Sequence, residues 1–442
     1  MALHLVRLLL ICLTAFMVQC GYVRMVSHRA YLKQSMNEAP SQIVMQELYN
    51  EENCVVWGKI ESLAKIKNFI AVAAVSYKYG KLEVVATSFL CGNGYYSLFL
   101  PPGQYHLFAF IDKNHDNIFS SSECVGYYQD PGLPLPFLTV DPQEGELSIK
   151  KADIFIVSSA PFKVDMPISI PLPTEYQCKQ SVAYPSEILR SLDDTLFSPE
   201  VAELGVYNPA KFTALSGLYF YALKDRDVNK TPVVFVHGYG GTPREFAFFV
   251  SRLDTSKYQP FFFHYPSGQG LERTARIFYE IFFSGRIFNL HKKRIVIIAH
   301  SMGGLVARAA INTYSTQEKS PVPVCYISLC TPYGGIEAAA HSLGIAREII
   351  SSWRDISVGS PFLNKLNSNN LPESARFFLL FGFKNPATIH LSENSDGTIL
   401  LASQLYEAAQ QKATRLFGFN ESHVSILVSP KAWDVIETIL SK

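Results

Sequence analysis

The sequence predicts two folded parts of different kind: a small β-sandwich-like domain, then an α/β domain on a doubly wound, mostly parallel sheet. Three observations carry this. The 442 residues exceed one ordinary core and point to two or three domains. Residues from about 54 to 171 read as short β-branched and aromatic runs broken by Gly, Pro, Asn and Asp. From about residue 218, near-continuous apolar strands alternate with helical stretches, the pattern of parallel strands covered by helices on both faces.

The N-terminal stretch reads as a targeting segment. "LLLICLTAFMV" (residues 8–18) follows one Arg and has the length of a signal-peptide core, short of the roughly twenty residues of a membrane span. Cys20 follows, as in a bacterial lipobox, although Gln19 and Met17 depart from that pattern. A lipidated Cys20, simple cleavage nearby and an uncleaved anchor are all open. Each places the rest of the chain outside the cytoplasm, secreted or membrane-attached through its N-terminus. The expected organisation is a signal peptide over 1–20, a β-rich domain over 21–170, a linker over 171–215 and an α/β domain over 216–442. The linker is rich in Pro, Ser and Tyr, has no clear period and is expected to pack in part on the α/β domain.

Composition excludes some functions. At 48% hydrophobic and 17% charged, the chain is expected to fold rather than remain disordered. A net charge of +1, with no basic block, gives no case for a nucleic-acid partner. No Cys-x-x-Cys pair suggests zinc. Cys325 and Cys330 lie in the strand-like "PVCYISLC" and read as small buried hydrophobes. Pairing among Cys54, Cys91, Cys124 and Cys178 stays open.

In the first half, "DKNHDNIFSSSE" (residues 112–123) fits the calcium-loop pattern D-x-[DN]-x-[DN]-G-x5-E with one change. Asp112, Asn114 and Asp116 take positions one, three and five. Ile118 offers its carbonyl at seven, and Glu123 a carboxylate at twelve. Asn117 replaces the usual Gly and tolerates positive φ better than most residues. The flanks read as strands, so this is a calcium-loop-like hairpin with a structural role, or else a metal-free Asx-rich turn.

In the second half, "RIVIIAHSMGGLVARAA" (residues 294–310) is a buried strand running through a sharp turn into a helix. Ala299-His300-Ser301-Met302-Gly303 fits the nucleophile elbow G-x-S-x-G with Ala at the first position. Such a turn exposes the Ser301 hydroxyl and leaves Met302 N–H at a helix N-terminus, where it can donate to an oxyanion. A second donor is expected from an earlier strand end. "VVFVHGYGGTP" supplies it, with Tyr239 N–H the best candidate. His237 and His300 read as partners of loop backbone rather than as bases. A serine hydroxyl needs a base oriented by a carboxylate, in the chain order Ser, acid, His. Of His341, His390 and His423, and of Asp355, Asp396 and Asp434, only Asp396 in "SENSDGTIL" followed by His423 in "FNESHVSIL" sit on loops after the last strands. Glu393 is the fallback acid.

These residues resemble the α/β-hydrolase superfamily, in particular its secreted lipase and esterase branches, over about 205–442. "VHGYGGTP", "AHSMGGLVAR", "TPYGG", "GSPFL", "SDGTI" and "SHVSI" look like motifs of that group in the right order. Its members include lecithin-cholesterol acyltransferase-like enzymes and esterases that deacylate lipid anchors. The resemblance implies Ser301, Asp396 and His423 as a triad, with Tyr239 and Met302 as oxyanion amides. It implies a lipid or acyl-ester substrate, a cap or lid segment over 345–370 and no required cofactor. An acyltransferase or thioesterase using the same triad, and a silent binding protein on the same fold, remain alternatives.

Overall fold

The structure is a computed structural model that describes residues 54–62, 66–78, 81–128, 137–140, 149–156, 168–172, 191–216, 219–224, 226–284, 294–317, 322–340, 350–384 and 394–441. The apolar run at 8–18, Cys20, Cys178, His341, His390 and Glu393 lie outside these residues, as do the side chains of Cys54 and Cys91. Among the described residues, no helix is long and apolar enough to cross a membrane.

The first half is built of strands. They are β1 (Cys54–Ser62), β2 (Phe69–Lys78), β3 (Lys81–Cys91), β4 (Tyr95–Leu100), β5 (Gly103–Ile111), β6 (Ile118–Ser120), β7 (Cys124–Tyr127), β8 (Leu138–Val140), β9 (Ile149–Lys151), β10 (Ile154–Ile156) and β11 (Ser169–Pro171). One sheet runs β3-β2-β5-β7, with β8 on β5. A second runs β10-β1-β4, with β9 on β1. Alternate residues of β2 and β5 (Ile70, Val72, Ala74, Leu107, Ala109) meet Val56, Ile60, Tyr96 and Leu98 of the other sheet in one buried core. The period-two alternation read from the sequence is what sends these side chains to a common face. Cys124 is a free, buried thiol.

The second half holds β12 (Phe220–Ala222), β13 (Thr231–Val236), β14 (Tyr258–Phe263), β15 (Ile295–His300), β16 (Val324–Leu329), β17 (Ala375–Gly382) and β18 (Arg415–Phe419), in the order β12-β14-β13-β15-β16-β17-β18. Only β12 is antiparallel to its neighbour. Successive residues leave each central strand on opposite faces. Val234, Val236, Ile297, Ala299 and Tyr326 enter one core with the helices α1 (Leu271–Phe282) and α2 (Met302–Gln317). Val233, Phe235, Val296, Ile298 and Ile327 enter another, shared with Phe249 and with helix α3 (Pro430–Leu440) through Trp433 and Ile436. Both faces are covered, which is why these strands carry unbroken apolar runs. Cys325 and Cys330 are free and buried within this second core.

Two features differ from the sequence reading. Residues 195–215 of the expected linker, with Ser216 just beyond it, are helical over Thr195–Phe197, Pro199–Tyr207 and Pro209–Ser216. Only the helicity differs, since Leu196, Phe197 and Phe212 enter the α/β cores, which is the partial packing expected of this segment. The helices are short and started by Ser198-Pro199 and Asn208-Pro209, so too few turns exist for a 3.6-residue period to show. Strand β18 was not anticipated. Four of its five residues are exposed or half-buried, which removes the apolar signal.

Candidate active site

Parallel α/β sheets bind ligands at the carboxyl ends of their strands, and the predicted residues gather there. Ser301 is the first residue after β15. Its φ of +52° is the left-handed conformation of a sharp strand-to-helix turn. The turn is pinned by Ser301 N–H donating to Leu329 O at 2.8 Å and by Gly304 N–H donating to Ser301 O at 2.9 Å. Gly303 is required by a neighbour. A Cβ there would stand 2.3 Å from the His237 carbonyl oxygen, at the end of the adjacent strand β13. A Cβ on Gly238 would likewise stand 2.9 Å from Ser301 Cβ. These glycines let the loop after β13 lie directly against the serine.

His423 Nε2 is 3.0 Å from Ser301 Oγ, and His423 Nδ1 is 2.7 Å from Asp396 Oδ2. Asp396 is completely buried. Its other oxygen accepts Thr398 N–H at 2.9 Å and Ile399 N–H at 2.7 Å, while its carbonyl accepts His423 N–H at 2.9 Å. Burial raises the Asp396 pKa, but the His423 hydrogen bond and charge and the two amides outweigh it, so the net shift is downward. An ionised Asp396 requires a proton on His423 Nδ1, which leaves the Nε2 lone pair for the serine. The His423 pKa lies below the ordinary imidazole value, chiefly because burial disfavours the cation. A neutral imidazole 3.0 Å from a hydroxyl can take its proton.

Tyr239 and Met302 flank the serine on the loop after β13 and at the first turn of α2. Neither N–H has an acceptor among the described residues. The Tyr239 loop is held by Gly240 N–H donating to Ser267 Oγ at 2.9 Å and Gly241 N–H donating to Gly238 O at 3.2 Å. His237 Nδ1–H donates to Gly238 O at 2.8 Å, and its Nε2 accepts Tyr265 N–H at 3.2 Å, with His264 Nδ1 3.1 Å away. Both ring nitrogens of this buried histidine are engaged, so it supports the loop. Asp355 is a cap: its Oδ2 accepts Leu271 N–H at 2.6 Å and closes the N-terminus of α1.

Sequence reasoning missed Glu245, the full role of His300, and Cys330. Thr242-x-x-Glu245 has the spacing of a capping box, and Thr242 does cap its helix by accepting Arg244 N–H at 3.3 Å. Glu245 does not return to the cap. Its Oε1 lies 3.4 Å from Gly238 N and 3.3 Å from His300 Nδ1. His300 Nε2–H donates to the His423 carbonyl at 2.9 Å. His300 thus faces an acceptor at each nitrogen, which only the imidazolium satisfies with two donors. Burial lowers the His300 pKa, but the Glu245 hydrogen bond and charge, the His423 carbonyl and Asp396 together raise it above the ordinary value. Cys330 also sits at the acid. Its buried thiol is pushed up by desolvation and then by Asp396.

Residues 229–365 match the family described as "Putative serine esterase (DUF676)". Among solved structures, the chain is similar to Bacillus licheniformis lipase BlEst2 in mature form, at 16% identity and a TM-score of 0.41, over 50% of this chain and 98% of that one. Aspergillus fumigatus lipase B is similar at 14% identity and a TM-score of 0.38, over 51% and 56%. Legionella pneumophila phospholipase PlaB is similar at 18% identity and a TM-score of 0.32, over 40% and 45%. No curated protein matches the chain.

Proposed function

We propose that this chain is an extracytoplasmic serine esterase that cleaves apolar acyl or lipid esters through Ser301, His423 and Asp396. The observation that carries the reading is the unbroken line Asp396–His423–Ser301, at 2.7 and 3.0 Å, ending on a serine in a left-handed turn. Ser301 Oγ attacks the ester carbonyl as His423 Nε2 takes its proton. Tyr239 N–H and Met302 N–H receive the oxyanion. The imidazolium returns the proton to the leaving alcohol, and water, activated by the same base, releases the acid. This chemistry needs no cofactor. Apolar side chains on the surrounding loops favour an apolar substrate: Val424 and Val428 near the base and Tyr239 beside the oxyanion amide are exposed. The export assignment rests on the apolar run at residues 8–18.

The test is a fluorophosphonate probe followed by an ester chain-length series. A single adduct on Ser301 and hydrolysis that improves with acyl length are expected. Labelling elsewhere, or none, overturns the assignment.

His300 gives a pH signature. As a cation it opposes protonation of His423, whose ring centroid is 4.8 Å away. Asp396 and Glu245 act on His423 in the opposite sense, and the other ring that His300 acts on is buried His237. Two unit charges about 5 Å apart interact by about 0.8 kcal/mol even at the dielectric of water, roughly 0.6 of a pH unit. In His300→Gln the base pKa therefore rises. The acid limb of kcat/KM moves to higher pH by at least about that amount. A lowered kcat with an unmoved limb would mean that His300 only packs.

A further inference from the structure

The loop between β5 and β7 is untouched by the ester chemistry, and it contains an unusual carboxylate. Asp112 is 1% exposed. One of its oxygens, Oδ2, accepts Asn117 N–H across the loop at 3.2 Å. The other, Oδ1, is buried with no hydrogen-bond partner. No cationic side chain pairs with Asp112 among the described residues. A buried anionic oxygen without donor or counter-ion costs several kcal/mol, so such atoms call for an explanation. A second carboxylate, that of Glu123, is buried in the same loop.

The remaining donors stand at the positions a cation loop needs. Asn114 Oδ1 accepts Asp116 N–H at 3.0 Å, and Asp116 Oδ1 accepts Ile118 N–H at 2.7 Å. Each of these oxygens keeps a second lone pair. Leu172 N–H donates to Asn117 O, so Ile118 and Pro171 face each other as a non-hydrogen-bonded pair of the β6–β11 ladder and the Ile118 carbonyl points away from β11. Asn117, where such loops place glycine, has φ +61°. Glu123 Oε1 accepts Lys113 N–H at 2.9 Å, and Oε2 accepts Ser120 N–H at 3.0 Å.

We propose that residues 112–123 form a calcium-binding hairpin in which Asp112 Oδ1, Asn114, Asp116, the Ile118 carbonyl and Glu123 take one Ca²⁺. All donors are oxygens, and a bidentate glutamate with a backbone carbonyl suits the large, flexible shell of calcium better than the octahedron of magnesium. The only described set of three His, Cys, Asp or Glu side chains whose ligand atoms stand within 4.8 Å of one another is Cys330, Asp396 and His423. Binding therefore draws the loop's carboxylates together, with the exposed Asp116 moving inward. The ion ties β5 to β7, stiffening the first half without entering the ester chemistry.

The experiment is calorimetric titration of the full chain, stripped with EGTA, with CaCl₂ and separately with MgCl₂. Thermal melts with and without calcium accompany it. One saturable Ca²⁺ per chain, a raised Tm and weaker Mg²⁺ binding are expected. Asp112→Asn and Glu123→Gln are expected to weaken binding at least about tenfold. Asn114 is exposed, so Asn114→Ala should keep the fold and still weaken binding, which guards against misfolding of the buried variants. No saturable heat up to about 5 mM calcium, or wild-type binding in Asn114→Ala, overturns the proposal.

Discussion

Replacing Ser301 by alanine is expected to lower kcat for ester hydrolysis by about 10⁴- to 10⁶-fold, while KM changes little. Alanine removes the only atom that bonds to the acyl carbon. It leaves the elbow otherwise intact, because the pins Ser301 N–H to Leu329 O and Gly304 N–H to Ser301 O are backbone bonds. The lost side-chain contact is the one to His423 Nε2. Stability should therefore change by no more than about 1 kcal/mol. The residual rate over water would come from the oxyanion amides. Steady-state kinetics with a p-nitrophenyl ester, beside a thermal melt, checks both halves. A variant that melts normally and keeps more than about 1% of kcat would remove Ser301 from the reaction.

Replacing Asp396 by asparagine is expected to cost about 10⁴-fold in kcat with the site geometry preserved. The reason lies in the two sides of the carboxylate. The oxygen held by Thr398 and Ile399 N–H must remain an oxygen, so the asparagine amide nitrogen faces His423 Nδ1. That nitrogen donates. His423 then carries its proton on Nε2, pointed at Ser301, and cannot accept the hydroxyl proton. Fluorophosphonate labelling should slow in parallel, since it needs the same activated oxygen. Activity above about a tenth of wild type would assign the orienting role to another acid.

Much of this site could be read in the sequence because it depends on local order. Ala299-His300-Ser301-Met302-Gly303 follows an unbroken apolar strand, and strand, turn and helix are all local statements. Asp396 and His423 could be chosen because few acids and histidines follow Ser301 outside helices. Glu245 and His300 could not be read the same way. Glu245 lies 55 residues before His300, and His300 lies 123 residues before His423. Their bonds exist only once three loops meet. Gly303, by contrast, is legible as the last position of the elbow motif, and the structure adds its partner, the His237 carbonyl just after β13. Strand β18 and the helices at 199–216 were hidden for the opposite reason. They are short or half-exposed, so the hydrophobic period that marks an element never repeats enough to be counted.

The edge position of β18 has a consequence in time. His423 follows Ser301 by 122 residues and lies between β18 and α3, which closes the second core with Trp433 and Ile436. At about 5–20 residues per second, the serine leaves the peptidyl-transferase centre roughly 6–24 s before its base does. Through that interval the nascent chain presents an elbow with no proton acceptor. The triad can therefore assemble only after residue 423 has been made.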